Sequence, residues 1–150
     1  MTAAAPARGG AALYTPEILA LAVELADYPW TGGLQRFGQA SSRICGSKVA
    51  VALSTDVDGS ISQIGARVSA CAIGQAAAAL FLRASHGRDH DDLAAALEAM
   101  ECWLAGEGEL PSWPGIERLA SARLYSARHA AILLPWKAAL AALSNPPRAD

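Results

Sequence analysis

The spacing of apolar residues changes along the chain, and it predicts one helix, then a small sheet, then further helices. Near the N-terminus, apolar side chains recur at helical spacing at Ile18, Leu21, Ala22 and Leu25. Thr15 is suited to cap this helix, and Pro16 suits the first helical position because the missing N–H is not needed there. The helix is expected to end near Asp27.

In the middle of the chain the apolar positions alternate, as they do in a half-buried strand. The alternation predicts strands at 49–53 and 64–68, and Asp58-Gly59 between them is a strong hairpin signal. A less regular pattern indicates another strand within 37–43. Because an isolated hairpin is only marginally stable in water, we predict an antiparallel sheet of three strands.

From Cys71 onward the period is helical again. Residues 71–84 are nearly all small or apolar, which predicts a helix that is buried on most sides. Asp89 is expected to cap the next helix, whose apolar stripe consists of Leu93, Leu97, Met100 and Leu104. After a loop rich in glycine and proline, helical patterns return at 116–119 and at 126–143, where Pro135 should kink the helix or begin a new first turn.

Composition is that of one folded domain. Of the 150 residues, 53% are hydrophobic and 17% are charged, which excludes intrinsic disorder. We therefore predict a single α+β domain over residues 14–145, with a flexible lead-in at 1–13 and a C-terminal tail at 146–150.

Charge and hydropathy argue against two classes of partner. The net charge of −2 and the scattered arginines give no basic patch, so we expect no nucleic-acid binding. The longest apolar run without charge, between Arg67 and Arg83, is shorter than the roughly 20 residues that span a bilayer, so we expect no membrane partner. No signal peptide is recognisable, and we predict a cytoplasmic protein.

Three cysteines are the main candidates for chemistry. An odd number in a chain expected to be cytoplasmic points to thiol or metal chemistry and away from disulfides. Cys45 precedes a strand and is followed by Gly46, which would let the backbone approach a ligand closely. Cys71 begins a helix, where the helix dipole favours a thiolate. The hairpin can place both at one end of the sheet, although inert packing is the alternative. We assign Cys102 to packing.

His129, at the start of the last helix, is a further candidate ligand, although a histidine there is more often solvated or capping. The sequence contains no Cys-x-x-Cys pair, no glycine-rich phosphate loop and no zinc-ribbon spacing.

Three segments resemble a known family: Cys45-Gly46-Ser47, Ala70–Ala76 (ACAIGQA) and Arg128–Ala138 (RHAAILLPWKA). They are similar to the iron–sulfur cluster assembly scaffolds, namely the IscU-like proteins, the NifU N-terminal domain and the SufU proteins. The resemblance extends over roughly 14–143, and the loop at 106–115 resembles the insertion that separates SufU from IscU.

The resemblance implies a small three-stranded antiparallel sheet with helices packed on one side. It also implies a site of three cysteines and an aspartate that holds zinc or a nascent cluster and receives sulfur from a cysteine desulfurase. Cys45 and Cys71 match the first two cysteines, whereas Ser47 stands at the aspartate position. The third cysteine is expected near Ala130 or Ala131, and His129 lies within two positions of it.

The function implied is that of a scaffold or sulfur acceptor in iron–sulfur cluster assembly, a non-enzymatic role. Cys71 would accept sulfur, and Cys45, Cys71 and His129 would bind a transient iron–sulfur cluster or zinc, with Ser47 a weak fourth candidate. The partners would be a cysteine desulfurase and the assembly machinery. The alternative is a divergent, metal-free interaction or regulatory module with the same fold.

Overall fold

The computed structural model describes residues 14–147; the predicted lead-in at 1–13 and residues 148–150 of the predicted tail lie outside them. Within this part, the α-helices and strands are α1 (Pro16–Val23), β1 (Arg36–Ser41), β2 (Lys48–Thr55), β3 (Ile61–Ser69), α2 (Ala72–Arg83), α3 (His90–Leu104) and α4 (His129–Ser144). Three 3-10 helices lie between them, at Glu24–Asp27, Ile116–Leu124 and Ser126–Arg128.

Two helix starts follow the capping signals in the sequence. The Thr15 side chain accepts a hydrogen bond of 3.2 Å from the backbone N–H of Ile18, which confirms it as the cap of α1. Asp89 and Asp92 form a capping box before α3, each carboxylate accepting from the other's backbone N–H at 2.9 and 3.0 Å.

The strands form one antiparallel sheet in the order β1-β2-β3, which confirms the prediction. At the β2–β3 turn, the Asp56 carboxylate accepts hydrogen bonds from the backbone N–H groups of Asp58 and Ser60, both at 3.0 Å. Gly59 follows with a φ of +84°, a conformation that glycine adopts without strain. At the other end of the sheet, the register aligns Ser41, Lys48 and Ser69.

The helices pack on one face of this sheet, which we call the inner face. Its central residues are Val49, Val51 and Leu53 of β2, each at most 1% exposed. α4 crosses β1 so closely that a Cβ atom at Gly38 would collide with the backbone of α4. The predicted α+β architecture, with helices on one side, is confirmed.

An aromatic cluster lies in the core among the helices. Trp136 meets the rings of Phe81 and Trp113 edge-on, at centroid distances of 5.2 and 5.3 Å. The indole N–H of Trp113 donates to the Leu80 carbonyl at 2.9 Å. Trp113 and Trp136 are therefore part of the packed core.

Three sequence expectations need correction or refinement. The segment predicted as helical at 116–119 is a longer 3-10 helix, which buries Ile116, Leu119 and Ala122 at the three-residue spacing of that helix type. α4 continues through the buried Pro135 to Ser144, so no new helix begins there. Cys102 is exposed, contrary to the packing role predicted for it, because it lies one helical step, about 100°, from the buried Trp103.

Candidate functional site

The two candidate cysteines lie at the same end of the sheet. Cys45 is in the loop that joins β1 to β2, and Cys71 follows β3 after one intervening residue. Because the register pairs Ser41, Lys48 and Ser69, both segments leave the sheet at this end. The structure therefore brings Cys45 and Cys71 to one edge, as the hairpin predicted; we call it the cysteine end.

The start of α4 lies at the cysteine end as well. A Cβ atom at Gly74, in the first turn of α2, would lie 3.4 Å from the Cβ atom of Ala131. Ala131 is buried and follows His129 by two positions. The position at which the family resemblance expects a third cysteine is therefore next to the helix turn that Cys71 begins, although the residue is alanine.

Cys45 is exposed and hydrogen-bonded to a buried serine. Its Sγ lies 3.1 Å from the Oγ of Ser47, which is 4% exposed. The Ser47 hydroxyl is the main cause that lowers the pKa of the Cys45 thiol, because it can donate a hydrogen bond to the thiolate. The Ser42 hydroxyl lowers the pKa further, whereas partial desolvation raises it. The geometry therefore favours a nucleophilic thiolate at this position.

Ser42 is a residue of this site that the sequence reasoning missed. Its Oγ is buried and has no hydrogen-bond partner of good geometry within residues 14–147, yet the hydroxyl is near enough to lower the pKa of the Cys45 thiol. The sequence carries part of the signal, since serines at both ends of a short interstrand loop can turn their hydroxyls towards a residue between them. The burial of Ser42 follows only from the closed loop.

Backbone hydrogen bonds close this loop tightly. The Ser42 N–H donates to the Ser47 carbonyl at 2.9 Å, and the Gly46 N–H donates to the Ser42 carbonyl at 2.8 Å. Gly46 has a φ of +74°, and nothing lies within 4 Å of where its Cβ would be. The turn itself therefore favours glycine at this position, and the close approach of the backbone to a ligand stays a prediction.

Cys71 is held differently. It is the half-buried N-cap residue of α2, and its side chain makes no capping hydrogen bond. Gln75 anchors its backbone: the Gln75 N–H donates to the Cys71 carbonyl, and the Gln75 amide donates to the Ala70 carbonyl, both at 2.9 Å. The sulfur therefore stands at the start of a helix whose first turn is well fixed.

His129 is the first residue of α4, and its ring is already hydrogen-bonded. Its Nε2 lies 2.7 Å from the Arg123 carbonyl oxygen, which can only accept, so Nε2 carries the proton. The lone pair is then on Nδ1. The neighbouring Arg128 has a buried Nε with no partner among the described residues.

The structure does not assemble the predicted ligands into a metal centre. Among residues 14–147, no three His, Cys, Asp or Glu side chains form a group that could hold a metal ion, so Cys45, Cys71 and His129 are not brought together as a ligand set. Ser47 adds a neutral hydroxyl where a carboxylate would bind a dication more strongly. This donor set does not fit the closed four-ligand site typical of structural zinc.

Two solved structures superpose on most of this chain with a TM-score of 0.80. One is the N-terminal part of a nitrogen-fixing NifU-like protein from Brucella abortus, 30% identical, covering 87% of this chain and 92% of that one. The other is described as a candidate iron–sulfur cluster assembly scaffold of the SUF system from Fervidobacterium islandicum, 20% identical, covering 91% and 100%. At that identity, the second match supports the fold alone.

No protein-family model and no curated protein matches the sequence. The match to the Brucella structure nevertheless extends over nearly the whole domain at 30% identity. The sequence resemblance indicates the same relatives. The chain therefore belongs to the family of the NifU-like proteins, whose N-terminal domain it matches.

Proposed function

We propose that this protein is a sulfur acceptor and transient scaffold in iron–sulfur cluster assembly, and that Cys45 receives the sulfur. The observation that carries the proposal is the exposed Cys45 thiol, hydrogen-bonded at 3.1 Å to the buried Ser47 hydroxyl. The NifU-like and SufU-like structures support the general role. A cysteine desulfurase would be the sulfur donor and the assembly machinery the other partner, in the cytoplasm.

The transfer step is a thiol–persulfide exchange. The Cys45 thiolate attacks the terminal sulfur of the donor's cysteine persulfide, a new S–S bond forms, and the donor's own S–S bond breaks. The donor cysteine leaves as a thiolate, so no electrons are gained or lost overall. The Ser47 hydroxyl stabilises the attacking thiolate by hydrogen bonding.

Cys71 takes the second role in this proposal. The sequence favours it as sulfur acceptor because it begins a helix, but it is half-buried, whereas Cys45 is exposed to an incoming partner. Iron or a nascent cluster, as cargo, would be held by the thiolates of Cys45 and Cys71, with His129 Nδ1 as the further candidate. With two thiolates and no carboxylate at position 47, we expect this cargo to be held weakly and released readily.

The test is sulfur transfer from a cysteine desulfurase supplied with radiolabelled cysteine, with the labelled residue located by mass spectrometry. We expect Cys45→Ser to lose most of the label, and Cys102→Ser, which removes the other exposed cysteine, to keep it. Label retained in Cys45→Ser at the wild-type level would contradict the assignment. If the label is then lost in Cys71→Ser, the acceptor is Cys71.

A second candidate function is a metal-free interaction or regulatory module of the same fold. The observation that favours it is the absence, within residues 14–147, of a three-ligand group, together with serine at the aspartate position. Cells that lack the native protein would separate the two functions. Full complementation by a Cys45→Ser, Cys71→Ser double variant would establish the interaction module and exclude the sulfur acceptor.

A further inference from the structure

The face of the sheet opposite the inner face carries an open groove. This outer face comprises the residues of β1 to β3 that alternate with those of the inner face, and its central row consists of Gln39, Ala50 and Arg67, which the register places side by side. A groove of about 720 Å³ extends from this row to Trp30 and Phe37 and reaches Asn145 after α4. A shallower depression continues it to Lys48 and Ser69.

Aromatic rings form one end of the groove, and the chain holds them in place. The rings of Trp30 and Phe37 lie 5.7 Å apart. The segment before Trp30 crosses the sheet at Gly65, where a Cβ atom would collide with the Pro29 carbonyl, and the Ala66 N–H donates to the Tyr28 carbonyl at 3.0 Å. The Arg67 guanidinium lies over the Trp30 ring at 4.4 Å, which directs it into the groove.

The charged side chains that line the groove, Arg67 and Lys48, are both positive. The three strands contain no acidic residue, and their third basic residue, Arg36, lies in the row of Leu53 on the inner face. Neither Lys48 nor Arg67 forms an ion pair with any residue of 14–147, and both are exposed. The acidic residues of the chain are concentrated elsewhere, on α3 and in the loop after it, at Asp91, Asp92, Glu98, Glu101, Glu107 and Glu109.

We propose that the outer groove binds an extended, acidic segment of a partner protein. Carboxylates of the segment would pair with Arg67 and Lys48, and an apolar side chain would pack beside Trp30. A groove that is open to solvent along the strands suits an extended chain, because small ligands require pockets that enclose most of their surface. Unpaired cations of one sign supply the electrostatic complementarity that selects such a segment.

The groove leads to the cysteine end. The pair Lys48 and Ser69 ends the sheet on this side, next to the segments that carry Cys45 and Cys71. A partner whose acidic segment lies in the groove would therefore have its adjoining residues beside these cysteines. The binding proposal does not depend on sulfur transfer, since it rests on residues of the outer face alone.

The test is fluorescence anisotropy with a fluorescein-labelled peptide in which glutamate alternates with alanine around a single phenylalanine. Charge reversals come in matched pairs: Arg67→Glu and Lys48→Glu lie in the groove, whereas Arg118→Glu and Lys137→Glu are exposed elsewhere. We expect each groove variant to weaken binding about tenfold and each control to leave it nearly unchanged. Circular dichroism verifies that all four variants are folded.

Two results would overturn the proposal. The first is equal binding by the groove variants and the controls, which would place the peptide elsewhere or make its binding non-specific. The second is binding of a labelled oligothymidylate at the same affinity, lost in the same variants, because the face would then be a general anion surface. Selective loss with the acidic peptide, without oligothymidylate binding, would support a protein partner.

Discussion

The two faces of the sheet consist of the same three strands, yet helices cover the inner face, whereas the outer face has an open groove at Gln39 and Arg67. On the inner face, Val51 and Leu53 are covered by helices and are 1% and 0% exposed. On the outer face, Gln39 and Arg67 remain exposed, and the groove is covered by nothing in the described part of the chain. Alternation along each strand thus separates the residues that stabilise the fold from those available to partners.

The largest effect on the covered inner face is expected at Gly38, where β1 packs against α4. We expect Gly38→Ala to destabilise the protein by about 3 kcal/mol, because the added methyl group meets backbone atoms of α4 that cannot move aside. Urea denaturation measures the change. Gly32→Ala is the control, since nothing lies within 4 Å of its Cβ position; equal effects of the two substitutions would contradict the close packing of α4.

A second pair of substitutions compares the faces directly. Leu53→Ala, on the inner face, should cost about 3 kcal/mol in the free energy of unfolding because it removes a fully buried side chain. Arg67→Ala, on the outer face, should change it by less than about 0.5 kcal/mol. Thermal and urea unfolding measure both. A large destabilisation by Arg67→Ala would mean that the outer face contributes to the core after all.

The smallest effect is expected at the cysteine end, in the loop that joins β1 to β2. Hydrogen bonding from Ser47 lowers the pKa of the Cys45 thiol, so Cys45 should be alkylated by iodoacetamide at a half-maximal rate below pH 9.0, the ordinary thiol value. Ser47→Ala should shift this profile towards higher pH. The variant Ser69→Ala, at the same end of the sheet but outside the loop, should leave it unchanged.

The sign of the accompanying stability change follows from the same shift. A thiol whose pKa is lower in the folded protein than in the unfolded chain stabilises the fold above the unfolded pKa, and this contribution is lost as the pH falls through the folded value. Because Cys45 is exposed, the effect on unfolding should be small, and the alkylation profile is the more sensitive measurement. An unchanged profile in Ser47→Ala would exclude the hydrogen bond as the cause.

Features governed by local sequence were predictable. The hairpin at Asp58-Gly59, the cap at Thr15 and the cap at Asp89 each depend on residues within a few positions of one another, and all three are confirmed. The placement of Cys45 and Cys71 at one end of the sheet was predictable too, because it follows from pairing two strands in a hairpin.

Features that depend on three-dimensional surroundings were not predictable. The burial of Ser42 results from the way its loop closes on Ser47, and the proton on His129 Nε2 results from a carbonyl in a 3-10 helix, whose three-residue period does not give an α-helical signal. The exposure of Cys102 depends on a rotation of a single helical step. The resemblance identified the position of Ser47 in the family pattern but not what its hydroxyl does.

The serine at position 47 also changes the electrostatic energy of a negative charge at the cysteine end. A carboxylate there would repel a persulfide, because the outer sulfur of a persulfide is an anion. Two like charges about 4 Å apart repel each other by about 1 kcal/mol in bulk water and by about 4 kcal/mol near a protein surface. The Ser47 hydroxyl removes this repulsion and can donate a hydrogen bond instead. Under the proposed function, the replacement that weakens the binding of a metal cation also favours anionic sulfur on Cys45.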